Sequence, residues 1–281
     1  MSLETKIYQK ENNLNFFKLL KASLNDMYRS RFLARQLTVR DISAQYRQSY
    51  LGIIWAFIMP LTTAIVWIFL NGTGTVKLSD TGVPYPVYAF SGTLVWSIIV
   101  GAINAPLNGT KSAKGIISKI NFPKEALIVS SIYKLLFDSS IKIIILLFFV
   151  FVYGVGFHAS MLLFPFAILG LILFGVTLGM FMAPLGLLYH DISKLLTMGL
   201  GLVMYITPVV YAVPKTGLMK TVMEWNPLTA LILTSRDFVV GGSLDYVAYY
   251  IWVVLACIPL CFLALVFYRI SIPIIVERSN A

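Results

Sequence analysis

Long apolar runs separated by short polar segments occupy most of the chain, and this pattern predicts helices that cross a lipid bilayer. A helix needs about 20 mostly apolar residues to span the hydrocarbon core. Six runs have this character: 51–70, 86–107, 127–153, 161–188, 195–212 and 246–268. Their apolar residues are continuous rather than alternating, which favours helices over barrel strands. The sequence therefore predicts an all-α integral membrane protein with six transmembrane helices.

The residues before the first run predict a helix that lies along the membrane surface. Four apolar residues recur at helical spacing within residues 14–28: Phe17, Leu20, Leu24 and Met27. Their side chains would share one face of an amphipathic helix. The alternative is that this helix packs against a partner protein. Residues 36–50 continue as a polar, basic helix that leads into the first span.

The segment 207–245, just before the last span, predicts irregular backbone at membrane depth. It contains three prolines, a Gly-Gly pair and two apolar runs that are each too short to span a bilayer. Such backbone is tolerated only where protein covers it or where it lines a cavity. We expect two re-entrant helices at the outer face, broken at Asn226-Pro227. An ordinary outside loop is the alternative.

Composition supports one membrane domain and leaves no room for a separate soluble one. Of the 281 residues, 58% are hydrophobic and 12% are charged, and the mean hydropathy is +0.83. Soluble domains average about 25% charged residues. The single permease-like domain 1–281 would consist of cytoplasmic helices in 1–50, six spans in 51–268 and a cytoplasmic tail in 269–281.

The positive charge of the chain is unevenly distributed, and this asymmetry predicts the orientation. The net charge is +10, yet sixteen of the twenty Lys and Arg residues outside the spans fall on one side of the six-span arrangement. Nine of them precede residue 50, four lie in 108–126, one in 189–194 and two after 268. Loops rich in Lys and Arg stay inside, so both termini are expected in the cytoplasm. The charge does not indicate nucleic-acid binding.

The sequence contains no recognisable catalytic constellation. It has no G-x-x-x-x-G-K-[ST] loop for phosphates, no H-E-x-x-H, no nucleophile elbow and no Cys/His cluster. These absences predict a conduit rather than an enzyme, with no metal or cofactor of its own. If the protein moves a solute uphill, the energy must come from another subunit.

The third span carries charges, which are costly in a membrane. Lys134, Asp138 and Lys142 are spaced four residues apart and so share one helix face. Ionisable groups in a span mark a functional site by default. The alternative is structural, with Asp138 pairing with one or both lysines while Lys134 extends toward the interface.

Aromatic residues are abundant, at 14% of the chain. Trp55 and Trp67 in the first span and Tyr205 in the fifth have faces that would stack on sugar rings. Trp and Tyr also form belts at membrane interfaces, and composition does not separate a belt from a path.

Six segments resemble the permeases of ATP-binding-cassette exporters for O-antigen, capsular polysaccharide and wall teichoic acid. In order they are YRQSYLGIIWAFIMPL (46–61), SGTLVWS (91–97), NFPKEAL (121–127), LLYHDISKL (187–195), YITPVVYAVP (205–214) and WNPLTALI…RD (225–237). The resemblance implies a homodimer in the bacterial cytoplasmic (inner) membrane, with two copies of a separate ATPase subunit that bind ATP and Mg. The implied cargo is an undecaprenyl-linked glycan.

The resemblance, together with the local pattern, also implies three groups of functional residues. The 115–126 loop would contact the ATPase, with Phe122 as an apolar plug, Pro123 at the turn and a charged rim. That rim and the frame around the contact comprise Lys119, Lys124, Arg40, Asp41, Tyr46, Arg47 and Asp191. The outer gate would comprise Glu224, Trp225, Asn226 and Pro227, and the path Trp55, Trp67 and Tyr205.

Two other functions remain open at the level of sequence. The same fold would suit the export of a small lipid or a drug, which predicts no dependence on glycan synthesis. A membrane scaffold or an enzyme without transport predicts no stimulation of an ATPase.

Overall fold

The computed structural model describes residues 15–47, 50–74, 83–117, 119–120, 122–189 and 191–280. In these ranges the regular structure is helical, with short 3₁₀ turns at Gly52–Ile54 and Ala159–Leu163. The α-helices in chain order are α1 (Phe16–Arg29), α2 (Arg31–Arg47), α3 (Trp55–Gly72), α4 (Tyr85–Ser112), α5 (Lys114–Ile117), α6 (Glu125–Val152), α7 (Phe164–Leu188), α8 (Asp191–Tyr205), α9 (Leu218–Trp225), α10 (Pro227–Val240) and α11 (Val247–Asn280).

Four helical segments of the described chain are long and apolar enough to cross a membrane. They are Tyr85–Ser112, Glu125–Val152, Ala159–Leu188 and Val247–Glu277. The prediction of an all-helical membrane protein is confirmed, whereas the count of six spans stays a prediction.

The two remaining predicted spans correspond to shorter helices. α3 has 18 residues and α8 has 15, which gives lengths of about 27 and 22 Å at 1.5 Å per residue. The hydrocarbon core of a bilayer is about 30 Å thick. The fifth span was expected over 195–212, but α8 runs from Asp191 to Tyr205 and the chain then turns through 206–211. The α conformation is disfavoured for the residue that precedes a proline, so Pro208 favours the end of the helix before it.

α4 forms the centre of the bundle and packs closely against α7. A Cβ at Gly175 of α7 would overlap Ala102 of α4, and one at Gly179 would overlap the Ile103 carbonyl. Small residues let two membrane helices approach each other closely, so that packing replaces the hydrophobic driving force that lipid removes. α4 and α7 thus form a closely packed pair at the centre of the bundle.

α1 and α2 lie against the bundle at one end. Leu20 and Met27 of α1 pack against the core, whereas Phe17 and Leu24 are exposed. The Thr38 hydroxyl of α2 lies 3.1 Å from the Ser130 Oγ of α6. α1 is therefore a docked amphipathic helix, and its contact with lipid through the exposed residues stays a prediction. We call this the α1 end of the bundle.

α9 and α10 lie at the opposite end, the α10 end, and α10 is almost completely buried there. α11 follows, and it continues beyond the expected span. The residues from 269 onward, expected as a tail, extend α11 to Asn280. Arg269 ends the apolar run in the sequence but not the helix, because arginine is a good helix former; in the fold it pairs with Asp26 and Glu125.

Candidate functional site

A buried carboxylate at the α1 end connects three helices. Glu125, the first residue of α6, is 2% exposed. It accepts hydrogen bonds from the Ser23 hydroxyl of α1, at 2.9 Å, and from the Arg269 guanidinium of α11. Arg269 also pairs with Asp26 of α1 at 2.8 Å. The buried Glu125 carboxylate thus has an ionic partner in the partly exposed Arg269 guanidinium, as a low-dielectric position requires.

The predicted coupling loop lies beside this network. Phe122 is half-buried against the core, and the Lys124 Nζ lies 4.6 Å from its ring centroid. Burial lowers the pKa of Lys124, while the neighbouring Glu125 raises it. Pro123 and Lys119 are exposed. Phe122 therefore packs partly inward, and a cleft of about 410 Å³ opens between this loop and α11.

The frame residues predicted around the coupling loop are spread over two helices. On α2, the Arg40 guanidinium donates twice to one carboxylate oxygen of Asp41, at 2.7 and 2.9 Å. Burial raises the pKa of Tyr46, and the negative charge of Asp138 adds to this rise. Arg47 ends α2 and is exposed.

Asp191 begins α8, separate from α2. It is exposed and lies 3.9 Å from Lys194. An exposed pair at this distance contributes little to stability, which leaves the Asp191 carboxylate available to a partner.

The embedded charges of α6 lie beside a cavity. Lys134, Asp138 and Lys142 all line a space of about 470 Å³ between α2, α4 and α6. Among the described residues, no nitrogen–oxygen contact within 4.0 Å joins Asp138 to either lysine. The closed ion pair that the structural alternative requires is therefore not present, and the three groups face a shared polar space.

The four predicted gate residues lie where α9 meets α10. The Asn226 side chain accepts from the Leu228 amide at 3.0 Å, and Pro227 occupies the first turn of α10. This confirms the predicted cap. Trp225 is 80% exposed, and Glu224 lies 3.6 Å from Lys220. The depth of these helices in a membrane stays a prediction.

Asn226 and Trp225 also connect the junction of α9 and α10 to neighbouring segments. Its amide nitrogen donates to the Thr207 hydroxyl at 2.9 Å, in the turn that follows α8. The Tyr249 hydroxyl of α11 donates to the Trp225 carbonyl at 2.9 Å. The junction of α9 and α10 is therefore fixed to both α8 and α11.

A buried cation, Arg236, holds α10 against α4. Arg236 is 1% exposed, and its guanidinium donates to the carbonyls of Pro208, at 3.2 Å, and Val209. The guanidinium carbon lies 3.8 Å from the ring centroid of Tyr88. Gly92 of α4 lies directly beneath, since a Cβ there would overlap both the guanidinium and the Val209 carbonyl. The cation is thus coordinated by carbonyl dipoles and an aromatic face.

Two of the predicted aromatic path residues, Trp55 and Tyr205, lie on different helices, α3 and α8. Trp55, at the start of α3, is 46% exposed, and Tyr205, at the end of α8, is 63% exposed. The Tyr205 carbonyl accepts a hydrogen bond from the Tyr211 hydroxyl. The side chain of Trp67 lies outside the described residues. Exposure of Trp55 and Tyr205 leaves their rings available to lipid, cargo or a second copy.

Several residues of both clusters escape prediction from the sequence. Glu125 follows the predicted Lys124 directly, but its partner Arg269 is 144 residues away. Arg236 falls in the loop-like segment and carries an ordinary basic charge in the sequence. A signal was present in both cases, because each residue belongs to one of the family-like segments, NFPKEAL and WNPLTALI…RD.

The fold and these clusters define the chain as a multi-pass α-helical membrane protein. The ABC-2 type transporter family matches residues 33–237, well over half of the chain. The chain belongs to this family, whose members are membrane transport subunits.

Three relatives carry one descriptive name, O-antigen export system permease protein RfbA. One from Klebsiella pneumoniae is 25% identical over 246 residues, which cover 84% of this chain and 92% of the relative. A second from Klebsiella pneumoniae is 26% identical over 217 residues, 75% and 81% of the two chains. One from Myxococcus xanthus is 23% identical over 212 residues, 74% and 80%.

Proposed function

We propose that this protein is the permease subunit of an ATP-driven exporter that moves a lipid-linked polysaccharide of the O-antigen class across the bacterial cytoplasmic membrane. The carrying observation is the similarity to three O-antigen export permeases over 80% to 92% of their length, within one transporter family. Export of a small lipid or a drug is the weaker reading, since all three relatives carry the O-antigen name.

The proposed orientation puts the α1 end in the cytoplasm. The Lys- and Arg-rich segments 15–47, 108–117 and 122–126 and the end of α11 all lie at this end. The positive-inside rule supports this side for them. The α10 end would then face outward, and both termini would be cytoplasmic.

The proposed energy source is a separate ATPase subunit, in two copies, that docks at the α1 end. The loop with Phe122 and Lys124 sits next to Glu125, and Glu125 is tied to α1 and α11. A displacement of this loop by the ATPase subunit would therefore be transmitted to α6, α1 and α11 together. The cleft of about 410 Å³ beside the loop offers a partner a concave contact.

The proposed path lies between two copies of the chain. α3 and α8 carry large exposed apolar side chains, including Phe69, Leu195 and Leu202. Lipid or a second copy must cover such surfaces, since exposed apolar area of this extent marks a contact. A homodimer joined along α3 and α8 would bring Trp55 and Tyr205 of both copies to one passage, with Asn226-Pro227 at its outer mouth.

The test is reconstitution of the full chain with its ATPase subunit in nanodiscs, and measurement of ATP hydrolysis with and without undecaprenyl-linked polysaccharide. We expect the glycan to stimulate hydrolysis. Phe122→Ala should remove the stimulation, whereas Phe157→Ala, at an exposed phenylalanine near the α10 end, should retain it. A rate of ATP hydrolysis that does not change when the glycan is added would contradict the proposal. Equal stimulation by the glycan in the two variants would also contradict it.

A further inference from the structure

The cavity between α2, α4 and α6 is polar along much of its wall, although it reaches into the membrane-spanning part of α6. Its volume is about 470 Å³, within the range of small-ligand sites. Lys134 lies nine residues after the first residue of α6, and so about 14 Å along the helix at 1.5 Å per residue. Lys142 lies two more turns in. The cavity thus runs from the α1 end toward the middle of the bundle.

The charges that line this cavity do not cancel. The Arg40 guanidinium is paired with Asp41 at 2.7 Å, so these two groups neutralise each other. Lys134 and Lys142 share the single Asp138, and among the described residues neither ammonium lies within 4.0 Å of a carboxylate oxygen. One uncompensated positive charge therefore faces the cavity, where desolvation makes it costly.

The neighbouring polar groups do not offset that charge. The Asn104 amide nitrogen donates to the Val100 carbonyl at 2.9 Å, and the Ser131 hydroxyl donates to the Ile128 carbonyl at 2.8 Å. Both donors are committed to their own helices, and as neutral groups these side chains carry no charge that could cancel an ammonium.

The ammonium groups themselves keep free donors. Lys142 reaches the Ser97 carbonyl only at 3.5 Å. The Tyr46 hydroxyl, at the end of α2, is buried with no hydrogen-bond partner in the described part of the chain, and the charge of Asp138 acts on it. Unpaired donors and excess positive charge around a cavity are the features that recognise an anion.

We propose that this cavity binds the phosphate-bearing headgroup of a membrane lipid, with Lys134 and Lys142 as its charged donors. A lipid is favoured over a free anion because the site lies at membrane depth, where a headgroup enters sideways from the leaflet while its chains stay in hydrocarbon. Basic pockets between membrane helices on the cytoplasmic side bind anionic headgroups in this way. Asp138 lowers the affinity of the cavity for the headgroup, because its negative charge repels the bound phosphate.

Two lipids would present this chemistry. One is a resident phospholipid such as phosphatidylglycerol, and the other is a polyprenyl carrier with a pyrophosphate. Binding of the polyprenyl carrier in this cavity rests on the proposed export function, whereas binding of a phospholipid does not.

Native mass spectrometry of the purified full chain tests the site, with phosphatidylglycerol, undecaprenyl pyrophosphate and zwitterionic phosphatidylcholine as separate probes. The double variant Lys134→Gln/Lys142→Gln should lose at least about tenfold in affinity for the anionic probes, since one charge-assisted hydrogen bond contributes about a decade. Asp138→Asn should bind more tightly than the native chain. Lys194→Gln, at an exposed lysine outside the cavity, is the matched control and should bind normally.

The outcomes separate the proposals. Binding of phosphatidylglycerol that follows this charge order identifies a resident lipid, and binding of undecaprenyl pyrophosphate alone identifies the carrier. Native affinity of the double variant for both anionic lipids overturns the site, even if the complex still exports glycan. Equal loss in Asp138→Asn and in the lysine variant, with a lowered unfolding midpoint in each, would assign the three residues to packing and also overturn it.

Discussion

Replacing Gly92 with alanine is expected to destabilise the protein strongly, because no space exists there for a methyl group. A Cβ at this position would overlap the Val209 carbonyl and the Arg236 guanidinium. Both residues are fully buried, and the interior around them is close-packed. Either α4 shifts away from α10, or the guanidinium leaves its carbonyl partners.

The magnitude follows from three contributions. Overpacking a well-filled site costs about 1–3 kcal/mol, and loss of a hydrogen bond to a charged group costs about 1.5–3 kcal/mol. Alanine in a helix interior recovers about 1 kcal/mol relative to glycine. If both costs apply, the net loss is about 1.5–5 kcal/mol, which corresponds to a fall of about 3–20 °C in the unfolding midpoint.

A second glycine provides the matched control. Gly199 lies inside α8, and a Cβ there would meet nothing within 4 Å. Gly199→Ala should therefore leave the midpoint unchanged or raise it by about 2–4 °C. The assay is thermal unfolding of both variants in the same detergent at one scan rate, followed by tryptophan fluorescence. Equal midpoints for the two variants would refute the packing argument at Gly92.

Three other substitutions test the remaining clusters. Glu125→Gln should lower the unfolding midpoint in the same assay because it removes the charge-assisted hydrogen bond that joins buried Glu125 of α6 to Arg269 of α11, whereas Glu224→Gln, at an exposed pair, should change it little. The double variant Asn226→Ala/Pro227→Ala should raise resting ion leak in liposomes, because the cap and the preset first turn of α10 are lost; a native level of leak would make this junction an ordinary loop. Tyr205→Ala should reduce glycan export while Tyr205→Phe preserves it, and equal loss would point to packing rather than stacking.

The sequence predicts this fold well where its signals are local. Apolar runs locate α4, α6, α7 and α11, because a bilayer demands length and continuity that appear directly in the residues. The junction of α9 and α10 is also predictable from a local signal, because an asparagine cap and a proline at the next position act within one turn. Local chemistry alone places both boundaries.

The sequence predicts less where a helix end depends on distant partners. Arg269 resembles the end of a span, but Glu125 and Asp26 neutralise it and α11 continues to Asn280. Likewise, nothing near Arg236 in the sequence indicates that the carbonyl of Pro208 and the ring of Tyr88 will surround it. Long-range pairs of this kind arise only after the helices have packed.

α8 is held mainly at its ends, and this arrangement predicts that its amides are less protected from hydrogen exchange than those of the central helix α4. Leu200 is its buried residue. Near one end Lys111 donates to the Ser193 hydroxyl, and at the other the Tyr211 hydroxyl donates to the Tyr205 carbonyl. With little apolar packing inside the chain, α8 opens at a lower free energy than α4 does. Hydrogen exchange of the full chain in nanodiscs should therefore reach residues 191–205 before residues 85–112, and Ser193→Ala should speed exchange in α8 alone. Equal protection of the two helices would show that α8 is fixed by contacts outside the single chain.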